Sequence, residues 1–107
     1  MKGTFLGELE ELVLLTAASL GERAYGVAII AEIKQSTGRE LNIGAIHTVL
    51  RRLEQKGFLN SKFAGATKKR GGRRKRIYTP TYAGHATLEQ IYLIRTTLFK
   101  RIKPQMS

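Results

Sequence analysis

The sequence predicts a mainly α-helical (α+β) fold, and three observations support this prediction. Apolar residues recur at helical spacing in four separate segments. The third segment, residues 42–56, has one apolar face and one polar, basic face. It is followed by an alternating strand pattern and a glycine-containing loop, with seven Lys or Arg between Lys68 and Arg76. Together they predict a winged helix-turn-helix over residues 1–80, three helices plus a two-stranded wing, followed by a C-terminal dimerisation helix over residues 81–107.

Two helices are predicted before the basic segments. The first spans about residues 6–20, with three glutamates in its first turn, where negative charge complements the helix dipole. Gly21 predicts its end in the left-handed conformation. The second spans about residues 25–37, with three isoleucines facing inward and Gly38 at its end.

The third helix, about residues 43–56, has the clearest pattern. Asn42 is a good N-cap residue, because its side-chain oxygen can accept a backbone N–H of the first turn. Four apolar residues share one face at i, i+3, i+4 and i+7: Ile46, Val49, Leu50 and Leu53. The opposite face therefore carries Gly44, Thr48, Arg51 and Gln55, with His47 and Arg52 on its flanks. Gly57 closes the helix.

A β-hairpin and a long helix are predicted to follow. Residues 59–63 alternate in polarity, residues 64–74 form a basic loop, and residues 76–79 return as the second strand. Pro80 ends that strand, because proline has no N–H to give to the ladder. The last helix spans about residues 82–103 and is capped by Thr81.

The last helix has an apolar stripe that is too extensive for a single solvated helix. It could fold back on the first helix or pair with the same helix of a second chain, and we expect both, hence a homodimer. The predicted dimerisation residues are Leu88, Ile91, Tyr92, Ile94, Leu98, Phe99 and Ile102.

Composition restricts the class of protein. A chain of 107 residues is about one domain. It has no cysteine for disulfides or thiolate sites, no apolar run of about 18 residues and no signal-peptide pattern, so we expect a cytoplasmic protein. Residues 1–54 contain six Lys or Arg and seven Glu, giving −1, whereas residues 55–107 contain thirteen and one, giving +12. This asymmetry predicts a polyanionic partner.

Double-stranded DNA is the predicted partner, since a helix-turn-helix reads base edges with the N-terminal half of its recognition helix. The predicted DNA-binding residues on the third helix are Asn42, Gly44, Ala45, His47, Thr48, Arg51 and Arg52. The wing would follow the backbone or minor groove with Lys68, Lys69, Arg70, Arg73, Arg74, Lys75 and Arg76. The helix would then supply sequence preference and the wing salt-sensitive affinity.

Other interpretations stay open. The helix could be an ordinary amphipathic one with a solvated basic face, and the loop a polybasic patch for RNA or anionic lipid. The whole chain could be an RNA-binding or ribosome-associated basic protein, or an adaptor whose last helix binds another protein. With no Asp or Cys and two His, no metal set, cofactor site or nucleophile–base pair is predicted, and an enzyme is not expected. The four tyrosines are predicted to be packing residues, with ligand stacking left open for Tyr92.

Three motifs carry a resemblance to the PadR family of bacterial transcriptional regulators. They are AYGVAIIAEI at residues 24–33, IGAIHTVLRRLEQKGFL at residues 43–59 and GGRRKRIYTPTYAG at residues 71–84. Tyr78, Thr81 and Gly84 match the tyrosine, threonine and glycine that usually follow the wing in this family. Two positions depart from its pattern, because His47 replaces a usual tyrosine and Pro80 a common aliphatic residue.

The resemblance implies a winged helix that dimerises through its C-terminal helix, binds inverted-repeat operators and usually represses transcription. It places the DNA-reading surface on residues 42–52 and 68–76. The chain resembles the short form of the family, without a larger effector-binding region. The resemblance also implies an unidentified small-molecule effector near the dimer interface.

Overall fold

A computed structural model describes residues 6–64 and 75–102, and within them it contains four α-helices and one two-stranded antiparallel sheet. The predicted mainly helical fold class is confirmed. The chain order is α1 (Glu8–Leu20), a 3₁₀ turn (Gly21–Arg23), α2 (Gly26–Thr37), α3 (Ile43–Gln55), β1 (Leu59–Ala64), β2 (Lys75–Pro80) and α4 (Tyr82–Lys100). None of these described helices is long and apolar enough to cross a membrane.

The element ends differ from the sequence predictions by a few residues. Helix α1 begins at Glu8, because the Gly7 N–H just before it donates to the Glu10 carboxylate (2.9 Å). Gly21 has a positive φ but a ψ of −123°, outside the predicted left-handed helical region, and the chain continues there into the 3₁₀ turn. Strand β2 includes Pro80, and α4 ends at Lys100 rather than Lys103. Gly38 and Gly57 follow their helices at φ of 81° and 83°.

The core lies between the first three helices and the base of the hairpin. The predicted inward face of α3 is confirmed, since its whole stripe is buried. In α2, Ile29 and Ile33 are buried as predicted, whereas Ile30 is half-buried against the core. Phe58 and Tyr78 extend this core into the hairpin. The remaining buried core residues are Val13, Leu14, Ala17, Ala24 and Leu59.

The hairpin is joined to the helices at one end. Its register places Leu59 opposite Pro80 and Phe63 opposite Arg76. The Tyr78 N–H donates to the Ala24 carbonyl (2.8 Å), so β2 is hydrogen-bonded to the chain between α1 and α2. Since opposite residues share a face, Ser61, Phe63, Arg76 and Tyr78 point to one side of the sheet.

Three glutamates of α1 connect this helix to distant parts of the chain. Glu8 accepts two hydrogen bonds from Arg39 (2.9 and 2.7 Å), and Glu11 accepts one from Arg95 of α4 (2.9 Å). Glu10, which is buried, accepts from Lys56 just after α3 (2.8 Å). Burial opposes ionisation of Glu10, but the hydrogen bonds from Lys56 and Gly7 and the charges of Lys56 and Arg52 outweigh it and lower its pKa.

Helix α4 is joined to the rest of the chain by its first turn. The Thr81 N–H donates to the Phe58 carbonyl (3.0 Å), and its hydroxyl donates to the Gly57 carbonyl (2.7 Å) and accepts the Gly84 N–H (3.0 Å). The predicted cap is thus confirmed. Gly84 is buried so close to Phe58 that an added Cβ would overlap the Phe58 carbonyl oxygen and lie 3.2 Å from its carbonyl carbon.

Candidate nucleic-acid interface

The outer face of α3 carries the residues predicted to read DNA. Gly44, His47, Thr48, Arg51 and Arg52 are all exposed, whereas Ala45 is half-buried. This face exists because the apolar stripe fixes the opposite side of the helix in the core. Helix α3 therefore presents short polar groups and two arginines to solvent from a rigid support.

The first turn of α3 commits some of its polar atoms to the helix itself. The Asn42 side-chain oxygen accepts the Ala45 N–H (2.8 Å), as predicted for an N-cap. The Thr48 hydroxyl donates to the Gly44 carbonyl (3.1 Å), so in this arrangement its oxygen is left as an acceptor for a base or water. An added Cβ at Gly44 would meet only Asn42 Oδ1 at 3.4 Å, which shows that the backbone is open to close approach.

The two arginines of α3 lie on different sides of the helix. Arg51 lines a cleft towards the hairpin together with His47 and Glu54, which precede and follow it by one helical turn. Arg52 instead lies near Glu10 of α1, where its positive charge helps to lower the pKa of that carboxyl group. The arginine pair therefore spreads positive charge over the width of α3.

An open cleft of about 920 Å³ separates α3 from the hairpin and the start of α2. Its walls are aromatic as well as cationic: Tyr25, Phe63 and Tyr78 with Arg51, Lys75 and Arg76. Burial raises the pKa of Tyr78, with opposing influences from the charges of Arg76 and Glu54. A cleft with these walls suits a sugar–phosphate backbone, because cations attract the phosphates and the rings offer apolar contact to the sugars.

The two described wing cations are held by aromatic rings. The Lys75 ammonium lies 4.3 Å from the centroid of the Tyr25 ring, and the Arg76 guanidinium lies 4.4 Å from that of Phe63. Arg76 also donates to Ser61 (2.8 Å), whose hydroxyl donates to Glu54 (2.6 Å). Both cations are exposed, but these contacts orient them at the start of β2, next to the segment that carries the predicted wing tip.

Five of the predicted wing residues lie outside the described residues: Lys68, Lys69, Arg70, Arg73 and Arg74. The described strands bracket them, since β1 ends at Ala64 and β2 begins at Lys75. The two strand ends that adjoin this segment belong to the sheet that borders the cleft.

The predicted dimerisation residues divide into two groups along α4. Leu88 and Ile91 are half-buried, and Leu88 packs against the core. The other five are exposed by half or more of their surface: Tyr92, Ile94, Leu98, Phe99 and Ile102. Leu93 of the same helix is also exposed.

The tyrosines were not all packing residues as predicted. Tyr78 is buried, but Tyr82 is 90% exposed and Tyr92 is 68% exposed. A ring at helical spacing is an ambiguous signal, since it fits a core position and a partner surface equally well.

The sequence analysis did not assign a site role to Tyr25 and Glu54, which line the cleft, or to Ser61, which hydrogen-bonds to both Glu54 and Arg76. Glu54 could have been noticed because it follows His47 and Arg51 on the same ridge of α3. Tyr25 and Ser61 gave no signal, since their contacts to Lys75 and Arg76 join residues that are distant in the sequence.

The comparison with protein families identifies the chain. Residues 14–90 match the model of the transcriptional regulator PadR-like family, which is most of the sequence and includes the cleft and the first half of α4. The chain belongs to the PadR-like family. It is therefore a transcriptional regulator and not an enzyme, and the resemblance noted from the three motifs is confirmed.

Solved structures of this family share the PadR-like winged-helix fold. A PadR-like transcription factor from Bacteroides fragilis has a TM-score of 0.71 at 23% identity, covering 86% of this chain and 84% of that one. A PadR family regulator from Clostridium difficile R20291 has a TM-score of 0.69 at 26% identity, covering 88% and 93%. Bacillus subtilis PadR in complex with operator DNA has a TM-score of 0.63 at 22% identity, covering 94% of this chain and 52% of that one. No curated protein sequence matches this PadR-like chain significantly.

Metal chemistry has no support in the described part of this PadR-like regulator. Within residues 6–64 and 75–102, no three His, Asp or Glu side chains come together in a way that could hold a metal ion. His47 lines the cleft next to Gly26, where an added Cβ would lie 3.3 Å from its Nε2. The His47 side chain is therefore placed to pack against Gly26 of α2 or to contact DNA in the cleft.

Proposed function

We propose that this PadR-like regulator binds inverted-repeat operator DNA as a homodimer and represses transcription. The observation that carries the proposal is the arrangement of α3, whose exposed polar face borders a cationic and aromatic cleft at the base of the basic wing. The predicted helix residues, Asn42 to Arg52, would enter the major groove. The wing cations, Lys68 to Arg76, would lie along the backbone or in the minor groove. A regulator that acts on the chromosome would work in the cytoplasm.

Charge distribution supports a division of labour between these two surfaces. The basic wing would supply affinity that falls as salt rises, because each phosphate contact releases counterions. Thr48 and Arg51, on the outer face of α3, would instead discriminate between bases. Bacillus subtilis PadR, which shares this fold, is in complex with operator DNA in its crystal structure, and this supports DNA as the partner.

The exposed end of α4 supports the dimer. Five predicted residues and Leu93 leave six large apolar side chains exposed to solvent between residues 92 and 102. Soluble monomers rarely expose such patches, and a two-fold axis through α4 would cover them while presenting two copies of α3 to two half-sites. A small-molecule effector near that interface remains a prediction from the family.

The experiment that tests the proposal measures fluorescence anisotropy on three labelled probes across a salt titration. The probes are the DNA upstream of the protein's own gene, a scrambled duplex of equal length and an RNA hairpin. We expect salt-dependent binding that favours the upstream duplex. Equal binding to all three would instead support the RNA-binding or polybasic alternative, and sedimentation as a monomer at micromolar concentration would contradict the dimer.

A further inference from the structure

Glu54 is an acidic residue on the DNA-facing side of a strongly basic protein, and its contacts explain its presence there. We propose that Glu54 and Ser61 are positioning residues that hold Arg76, and with it the wing, at a fixed angle to α3. The two DNA-facing elements then meet the duplex as one rigid unit. This inference rests on the proposed function and assigns a role to two residues that carry no positive charge and are not among the predicted DNA-binding residues.

A continuous hydrogen-bond chain joins the three elements. Arg76 Nη1 of β2 donates to Ser61 Oγ of β1 at 2.8 Å, and Ser61 Oγ donates to Glu54 Oε2 of α3 at 2.6 Å. The Ser61 hydroxyl accepts from Arg76 and donates to Glu54, so its proton points towards the carboxylate. A cation and an anion at the two ends make both bonds charge-assisted, which shortens and strengthens them.

A second contact holds the same guanidinium. Phe63 lies directly opposite Arg76 in the sheet register, and its ring centroid is 4.4 Å from the Arg76 guanidinium. Arg76 is therefore restrained through its polar edge by Ser61 and through its face by Phe63. An exposed arginine without such partners would sample many rotamers, so this amount of restraint indicates a defined position.

The Glu54–Ser61–Arg76 hydrogen bonds lie where they can fix the angle of the hairpin to α3. The Tyr78 hydrogen bond to Ala24 and the buried Leu59 attach the near end of the hairpin to the domain. A two-stranded ribbon is only marginally stable by itself and twists readily, so its far end needs its own attachment. Ser61 lies opposite Tyr78, and from there the Glu54–Ser61–Arg76 hydrogen bonds reach two register positions further along the hairpin, to the Phe63–Arg76 pair near the segment that carries the predicted wing tip.

Removing the negative charge of Glu54 distinguishes a positioning role from a simple electrostatic one, because the two predict opposite changes in DNA affinity. Long-range electrostatics predicts that Glu54→Ala binds DNA more tightly, since it removes a repulsive charge beside the cleft. Positioning predicts weaker binding, by about tenfold for the loss of one charge-assisted hydrogen bond. The matched control is Glu22→Ala, which removes the same charge from an exposed residue of the 3₁₀ turn on the other side of the hairpin.

The measurement is the dissociation constant of the full chain for a random-sequence duplex at fixed salt. We expect Glu54→Ala to bind more weakly than the unmodified chain while Glu22→Ala binds as well or better. Glu54→Gln, which keeps an acceptor oxygen but not the charge, should fall between the two. Glu54→Ala binding as tightly as Glu22→Ala would overturn the proposal.

A double-mutant cycle excludes a general loss of structure. Ser61→Ala keeps every charge, so it should weaken binding in the full chain but have little effect once Arg73 and Arg74 are replaced by alanine. Equal losses in both backgrounds would contradict positioning through the wing. If the unmodified chain bound no duplex at all, the proposed function itself would fail, and that outcome is distinct from either result.

Discussion

Replacing Gly84 by alanine should destabilise the protein more than any other glycine-to-alanine change at a described helical position. Gly84 lies in the first turn of α4, where an added Cβ would overlap the Phe58 carbonyl oxygen. That atom belongs to the backbone and also accepts the Thr81 N–H, so it cannot move aside as a flexible side chain would. The helix must shift instead.

The size of the effect follows from two opposing contributions. To restore ordinary contact between the added Cβ and the Phe58 carbonyl oxygen, α4 must move away by about 1 Å. Overpacking of this kind costs up to about 3 kcal/mol. Alanine recovers about 1 kcal/mol through its better helix propensity. The net loss in free energy of unfolding is therefore about 2 kcal/mol, or a fall in Tm of about 10 °C for a domain of this size.

The assay is thermal and urea unfolding followed by circular dichroism at one fixed protein concentration, because the Tm of the proposed dimer would depend on concentration. Gly44→Ala is the matched control, since an added Cβ there meets only the Asn42 side chain at 3.4 Å. It should be neutral or stabilising by up to about 1 kcal/mol. A Gly84→Ala protein that unfolds at or above the temperature of the unmodified chain would refute the argument.

Four further variants test the proposed DNA interface, the proposed dimer and the ion pair between Glu10 of α1 and Lys56. Replacing Arg73 and Arg74 by alanine should weaken binding to all duplexes alike and reduce the slope of log affinity against log salt by up to about one per lost phosphate contact. Arg51→Ala should instead reduce the discrimination between operator and random DNA. Identical behaviour of the two variants in a salt-titrated anisotropy assay would count against separate roles for the wing and the helix. Leu98→Asp should convert the predicted dimer to monomer in sedimentation equilibrium, because it buries a charge in the apolar face, and an unchanged mass would place the dimer contact elsewhere. Glu10→Gln should cost about 1–2 kcal/mol near neutral pH. The pKa of Glu10 is lowered in the folded protein, so its contribution to stability is complete above the unfolded pKa of about 4.3 and is lost as the pH falls through the folded pKa. The unmodified protein and Glu10→Gln should therefore become equally stable in acid. A difference in the free energy of urea unfolding that stays constant across this pH window would exclude the ion pair as its source.

Local patterns in the sequence predicted the helices well, and α3 best of all. Its apolar residues repeat at the helical period, so the buried stripe and the exposed face followed directly from spacing. The N-caps Asn42 and Thr81 were predicted for the same reason, since a cap acts within three residues of its own position. The family motifs extended this local information to the whole fold.

Contacts between distant segments could not be predicted in this way. Glu10 and Lys56 are 46 positions apart, and in the sequence the glutamate fits a favourable dipole position with no need of a partner. The role of Gly84 depends on how closely α4 approaches Phe58, which is a property of packing rather than of spacing. The exposed Tyr82 and Tyr92 show the same limit, because periodicity does not distinguish a core from a surface awaiting a partner.

The attachment of α4 has a mechanical consequence. Its first turn is held by Thr81 and the close contact of Gly84, and its middle by Arg95, while the turns beyond are exposed. Nineteen residues at the helical rise form an arm about 28 Å long. In a dimer joined at the free ends of two such arms, a change of about 5° in their crossing angle would displace the two copies of α3 by about 2 Å, the product of that angle and the arm length. Half-site spacing would then be set at the far end of a stiff lever, well away from the DNA.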